Sequence, residues 1–562
     1  MTSPVYKLCD SHAEEMAALD PVMATYSGIL GHDAQMTDYS PEGLAARDEL
    51  NRKTKERLDQ VAPASDRDRV ARDLLAGEIS TALAAHAAGE DLRALRVIGS
   101  PFQAVREVFD LMPASTGEEW ETVAARMAKV PGALEGLRSS LAEALSRRLP
   151  PPRRQVLACA TQGTSWAGLA GGKPFFEEVA GRYSGRDDSL ERELSRAASA
   201  ATAAYASMVS WMREELAPLA SESDAVGRER YALCSRGTLG AIPDFDDTYA
   251  WGWDELHRLE DEMALVARQV SPGASVAEAM ALLDADPSRS AHGADALRAY
   301  LQQLLDTTIE QLDGVHFDIP APLKRVEAMI APPGGAAALY YTGPSEDFSR
   351  PGRTWYPTLG KTMFPLWGEV SVCYHEGVPG HHLQVGQVRY LKDDLTRFQR
   401  TAFVSGHGEG WALYAERLMD ELGYFEKPEH RLGFLRSQVM RAVRVVVDLG
   451  MHLELPIPAV ERFHPGEVWT PALGKQFLEE RSCFPADFLA SELDRYLGWP
   501  AQAISYKVGE RAWLEARSEA RRRLGSVFDH KAWHAHALGL GPLLLEQFPR
   551  ELAGVEGSGV EG

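Results

Sequence analysis

The chain has 562 residues, 45% hydrophobic and 25% charged, with 81 acidic against 59 basic side chains and a net charge of −22. That balance argues against a nucleic-acid partner, because phosphate contacts require clustered Lys and Arg, and equally against an anionic membrane surface. The five cysteines (Cys9, Cys159, Cys234, Cys373 and Cys483) are scattered and never form a C-x-x-C pair, the pattern of buried thiols in a reducing compartment.

The N-terminal "MTSPVYKLCDSHAEEMAALD" has no basic segment followed by an apolar run, and no stretch approaches the roughly 20 apolar residues of a membrane span. The expectation is a soluble, cytoplasmic protein. Helical periodicity then dominates: residues 65–88, 117–148 (broken at Pro131-Gly132) and 189–216 each carry an apolar stripe. A basic run at 146–155 lies in a Pro-rich connection and reads as a solvated loop. The clearest strand signal is "AALYYTG" (337–343), followed by the turn-rich 344–357. The expected fold is therefore mainly α, with a small sheet just before the histidine-rich stretch. A provisional division gives a helical region at 1–320 and a second at 321–562 that holds the sheet and the motifs, the two forming one body around a cleft.

"CYHEGVPGHHLQ" (373–384) carries the chemistry. Catalytic zinc is held by three imidazole or carboxylate ligands, with a position open for water and a carboxylate nearby as general base. His375 and Glu376 supply one ligand and an adjacent base, but the residue one turn on is Pro379, which binds nothing. On an unbroken helix His381 would stand about 9 Å along the axis and roughly 120° around, and His382 about 10 Å along on nearly the His375 face. Neither meets His375 comfortably across zinc bonds of about 2 Å. Pro379 breaks the helix ladder, so a kink or bulge is expected, with Gly380 swinging the chain back to bring a later histidine into reach. On these residues the second ligand is His381 or His382; the competing reading is a helix end with both on the surface.

Three further stretches bear on the site. "SGHGEGWALYAERLMDELGYF" (405–425) is an amphipathic helix with Glu409 at its start and Glu416 seven residues on, roughly on the same face. "MRAVRVVVDLGMHLE" (440–454) puts Arg444, Asp448 and His452 on one face, either to orient a histidine as oxyanion donor or as a structural ion-pair ladder. "DRYLGWPAQAISYKVGE" (494–510) offers Arg495, Tyr496, Tyr506 and Lys507 as substrate or oxyanion contacts. Tyr506 is favoured, because a phenol donates a hydrogen bond without titrating near pH 7. His534 and His536 in "WHAHALGLG" point to different helix faces and read as packing and surface.

"EGWALYAE" is similar to the second helix of gluzincin peptidases, which supplies their third zinc ligand. With "YHEGVPGHHLQ", "MRAVRVVVDLGMH", "RYLGWPAQAISYKVG" and the upstream "YYTGPSEDFSRPGRTWYP" in this order, the C-terminal half resembles the large family known as domain of unknown function 885. The resemblance implies a helical metallopeptidase-like fold around a deep central cleft, with a small β-sheet beside the active-site helix. It implies His375, His381 and Glu409 as ligands of Zn2+ or another divalent metal, Glu376 as general base, and Tyr506 or His452 at the oxyanion. An edge strand near 338–342 would align substrate, adding Tyr340 and Tyr341 to Arg495 and Lys507 as substrate contacts. The implied reaction is hydrolysis of an amide bond in a peptide. Alternatives are an amidase acting on a small molecule or natural product, and an inactive peptide-binding relative.

Overall fold

The structure is a computed structural model and describes residues 3–331, 339–345 and 347–553. It is mainly α-helical, with two small sheets. Among the described residues no helix is long and apolar enough to cross a membrane. Two compact units are found: Met1–Leu233 with Ala490–Pro500, and Cys234–Leu489 with Ala501–Gly562. The division thus falls well before residue 320.

The first unit follows the periodicity closely. Helix Asp188–Trp211 is capped by Asp187, whose side chain accepts from Ser189 N and Leu190 N, and it buries Leu190, Leu194, Ala198, Ala201, Tyr205 and Met208 along one stripe. Tyr205 meets Phe102 and Phe176 at ring distances of 5.3 and 5.6 Å, the aromatic centre of that core. The 117–148 segment breaks as expected, into Gly117–Met127 and Val130–Ser146. Pro131 sits in the first turn of the second helix, where its missing N–H costs nothing. The basic run is only partly loop: Arg153 opens a helix and pairs with Glu222, and Arg154 pairs with Asp224 at 3.0 Å.

The second unit begins earlier than the motifs because two upstream helices pack on them. Gly252 of helix Phe245–Val270 lies against Val445 of helix Pro428–Leu453, 2.8 Å from where a Cβ would be. Gln302 of helix Ala294–Leu312 bonds both Val326 O and Ala328 N of a strand (2.9 Å each). That strand, Val326–Ile330, runs parallel to Gly352–Tyr356, which pairs antiparallel with Tyr340–Thr342. Tyr340–Thr342 is therefore an edge strand, as expected; residues 337 and 338 of the anticipated strand lie outside the described residues.

Helices Ser405–Glu421 and Ser505–Leu524 cross at glycine. A Cβ on Gly509 would collide with Gly406 O, and Cβ atoms on Gly410 and Gly509 would each overlap the other's backbone. This close approach brings Tyr506, one turn before Gly509, up to the helix that carries Glu409.

Candidate metal centre

The HE helix (Glu369–Glu376) ends one residue after His375, and a new helix (His381–Tyr390) begins at His381. One kinked helix was expected; two helices joined by a turn at 377–380 are found. Gly377 and Gly380 have ψ of −127° and −132°, neither helical nor extended. A Cβ on Gly380 would collide with the carbonyl oxygens of Tyr374 and His375, so only glycine lets the chain cross the end of the HE helix. Gly380 N donates to Tyr374 O and His382 N to Gly377 O, both at 3.0 Å. Trp411 Nε1 donates to Pro379 O at 2.9 Å, pinning the turn to the Glu409 helix; the Val378–Pro379 peptide is cis. Neither histidine is on the surface: His381 is 9% exposed and His382 0%.

The crossing brings the His375 and His381 rings to 4.9 Å, nearly perpendicular at 88°. Glu409 Oε2 lies 3.5 Å from Nε2 of each. Hydrogen bonds of this type run about 2.7–3.2 Å, so 3.5 Å is long for one. Two ligand atoms on a tetrahedral zinc, at bond lengths of about 2.0–2.1 Å, stand about 3.4 Å apart. Potential ligand atoms of His375, His381 and Glu409 all lie within 4.8 Å of one another, and no other such group occurs among the described residues.

The far side of His375 is anchored as a metal-binding imidazole is. Its Nδ1 meets Glu416 Oε1 at 2.7 Å, Ser371 Oγ donates to Glu416 Oε2, and Arg441 stands 3.9 Å from Glu416. With Nδ1–H donating to Glu416, Nε2 is the nitrogen that faces Glu409, and loss of its proton would free a lone pair there for a metal. Burial alone would lower the pKa of His375, but its bonds to Glu409 and Glu416 carry it to about 9. Burial alone would raise Glu409 and Glu416. Both histidines reverse this for Glu409, holding it well below the usual carboxylate value, and His375 and Arg441 hold Glu416 below it too.

His382 faces away. Its Nε2 donates to Leu323 O (2.9 Å), so its Nδ1 accepts from Tyr341 Oη (2.9 Å), and burial lowers its pKa to about 4. With both nitrogens engaged, His382 has no lone pair to give, which separates the two candidates by geometry. Glu376 is 8% exposed, and among the described residues no hydrogen bond or ion pair engages its carboxylate. Tyr506 stacks near His375 (6.5 Å, 19°), with the Arg444 guanidinium 4.8 Å from its ring centre.

A family model described as "Bacterial protein of unknown function (DUF885)" matches residues 21–552. The chain belongs to the DUF885 family. No curated protein matches it. Two solved structures share the fold of this DUF885 protein. One, from Colwellia psychrerythraea and named a "putative lipoprotein", has a TM-score of 0.83 at 22% identity over 98% of each chain. The other, from Shewanella oneidensis and named a "putative lipoprotein of unknown function", has a TM-score of 0.74 at 17% identity over 97% of this chain and 99% of that one.

Other anticipated site residues of the DUF885 chain have different surroundings. Lys507 is 1% exposed; its ammonium meets Gln438 Oε1 at 2.7 Å, Glu255 Oε1 at 2.8 Å and Glu510. Those contacts use all three of its donors, so it is a buried structural cation and not a substrate contact. Arg495 belongs to the first unit, where it pairs with Glu492 at 2.7 Å and covers the Tyr496 ring. His452 is fully buried, 3.9 Å from Asp448, whose other oxygen accepts from Ala501 N. It lies two helical turns past Arg444, about 12 Å along the axis, so Arg444 is the member of that ladder that reaches Tyr506. Tyr340 stacks on Trp355 (5.8 Å, 11°), while Tyr341 is spent on His382.

Two contributors were not assigned a role from sequence. Glu416 had a signal, its i+7 spacing from Glu409; Ser371 had one too, four residues before His375 on the same helix face. His407, also unassigned, is packed against Trp513, with Gln384 Nε2 3.2 Å from its Nδ1. None of the five cysteines is in a disulfide; Cys9, Cys159 and Cys373 are buried, and Cys234 and Cys483 half-buried.

Proposed function

We propose that this protein is a metal-dependent hydrolase, with zinc as the first candidate, that cleaves amide bonds of peptides. The observation that carries the reading is the convergence of His375, His381 and Glu409, with Glu409 Oε2 3.5 Å from Nε2 of each histidine and all three ligand atoms within 4.8 Å, beside a carboxylate with no partner among the described residues. A divalent cation held by these three residues would supply a Lewis acid for a carbonyl oxygen and for water. Imidazole and carboxylate ligands suit zinc and would also accept Mn, Fe or Co.

The chain's own groups then divide the work. Glu376 follows a ligand directly, and its free carboxylate takes the proton of the attacking water and returns it to the leaving amine. Glu416 fixes the tautomer and ring plane of His375 through Nδ1. Tyr506, whose ring stands 6.5 Å from that of His375, donates to the oxygen that gains charge, with Arg444 against its ring.

The test pairs elemental analysis with turnover of a peptide panel. Wild type is expected to hold about one metal per chain and Glu409→Ala to lose it. Glu376→Gln is expected to keep the metal and lose about 10²–10⁴-fold in rate. A wild-type chain that takes up no metal after incubation with zinc, manganese or cobalt sinks the reading, and so does a metal-loaded chain inert on every peptide.

A further inference from the structure

The sheet beside the centre carries charge against the trend of the molecule. The chain as a whole is at −22, yet Arg350 is close enough to Arg353 and Arg389 for both to repel its charge. Arg353 has a counter-ion, Glu327 at 3.0 Å, which also pairs with Arg325 at 3.1 Å. Arg350 forms no ion pair among the described residues, and Glu327 attracts it more weakly than Arg353 and Arg389 repel it: it donates to Gly343 O at 2.8 Å and Pro351 O at 3.3 Å. Those bonds brace the turn after strand Tyr340–Thr342, but carbonyls do not cancel charge, and three of the five guanidinium N–H groups remain for a ligand. A half-buried cation held among like charges is stabilised most by an arriving anion. At physiological salt screening acts over about 8 Å, so this local cluster outweighs the distant acidic surface.

The cluster has a definite place relative to the centre. A Cβ on Gly343 would lie 3.3 Å from Val385 Cγ1, and Val385 is one turn past His381 on the same helix, with Arg389 one turn further. At about 1.5 Å per residue these positions are roughly 6 and 12 Å from His381 along the axis. Tyr341 ties the two ends together: its hydroxyl bonds His382, and burial raises its phenol pKa while Arg350 and Arg389 oppose the rise and Glu376 adds to it. An extended peptide advances about 3.3 Å per residue, so this spacing is covered by about two to four residues.

The geometry points to Arg350, with Arg389 beside it, as the subsite for the free C-terminal carboxylate of a peptide, so that the centre releases C-terminal fragments of about two or three residues. The inference rests on the peptidase reading: water adds its oxygen to the acyl carbon, and its proton leaves on the amine of the released fragment.

The experiment uses one N-acetylated hexapeptide made as the free acid, as the carboxamide, and as a carboxamide ending in Glu. The metal-loaded wild type is expected to cleave the free acid at least about tenfold faster in kcat/KM than either amide, about what one charge-assisted pair provides. Mass spectrometry is expected to show C-terminal dipeptides or tripeptides. Equal cleavage of acid and amide overturns the subsite and leaves the peptidase reading standing. Rescue of the amide by terminal Glu overturns the C-terminal assignment in favour of a side-chain carboxylate. A second readout needs no turnover: calorimetric titration of the released tripeptide, acid against amide, into Glu376→Gln. Preference for the acid, lost in Glu376→Gln/Arg350→Gln and restored in Glu376→Gln/Arg350→Lys, supports the subsite even if no peptide is cleaved; the peptidase reading alone then fails. No preference in Glu376→Gln overturns the subsite whatever the arginine variants do.

Discussion

Two buried polar clusters of the second unit, both built from conspicuous sequence motifs, differ in one physical respect. Around Lys507, every ammonium donor has an acceptor at 2.8 Å or less, and the charges of Lys507, Glu510 and Glu255 are interleaved with Arg258 and Arg417. Burial pushes Glu255 up, but Arg258 and Lys507 overcome it and bring its pKa down to about 2. Around His375 and His381 the inner contacts stop at 3.5 Å and bring potential ligand atoms toward a common point. An ammonium whose three donors are all taken has nothing left to offer a substrate, although Gln438 Nε2 and Glu510 Oε1 beside it make no hydrogen bond; groups that converge without closing are arranged for a ligand. Sequence inspection marked both as functional, and only distances distinguish them.

The comparison can be broken at its closed end first. Lys507→Met leaves Glu510 buried beside Glu255 without the ammonium, and removal of one partner from such a cluster costs about 3–5 kcal/mol. Urea unfolding is expected to show that loss with metal content unchanged. A drop in metal content with stability preserved would mean that Lys507 belongs to the site after all. At the open end, Glu416→Gln keeps the shape of the side chain but weakens the charge that orients His375. Metal affinity, measured by competition with a chelator, is expected to fall about 10–100-fold, and the unfolding midpoint of the metal-free protein is expected to fall as well, because buried His375 and Arg441 lose their counter-charge.

A pH titration sharpens the contrast further, because buried neutral histidines away from the centre respond first to burial. His534 bonds Tyr414 Oη at 2.7 Å, and burial, helped by the nearby charges of His530 and Arg517, lowers its pKa from 6.5 to about 3. The unfolded chain therefore binds a proton below pH 6.5 that the folded chain refuses until about pH 3. Stability falls as pH drops through that window, by at most about 1.4 kcal/mol per pH unit for this group. In His534→Phe the slope of urea midpoint against pH between 6 and 4 should flatten; an unchanged slope would show that the imidazole is protonated in the fold. The smallest effect is expected from Tyr341→Phe, which removes one hydrogen bond to His382, worth about 1 kcal/mol. Metal content should not change, and if it does, His382 takes part in binding.

The helices of the first unit were legible because an apolar stripe at 3.6-residue spacing is a local property, as along Leu190, Leu194, Ala198, Ala201 and Tyr205. Glu409 was legible for the same reason, standing at the start of such a helix. The choice between His381 and His382 was not, because it turns on Tyr341 and on Leu323 O, which lie 41 and 59 residues from His382 along the chain. Nor was the fate of Lys507, whose acceptors come from three different helices.

By itself, then, the amino-acid sequence determined the helical class, the edge strand, the break at 377–380 and the residue types able to bind a metal, since each depends on neighbours within a few turns. Tertiary structure alone decided where the compact units divide, which histidine turns inward and which charged groups close on one another. Those outcomes depend on which faces pack together, and at Gly380, Gly406, Gly410 and Gly509 packing is settled by backbones approaching more closely than any side chain would allow.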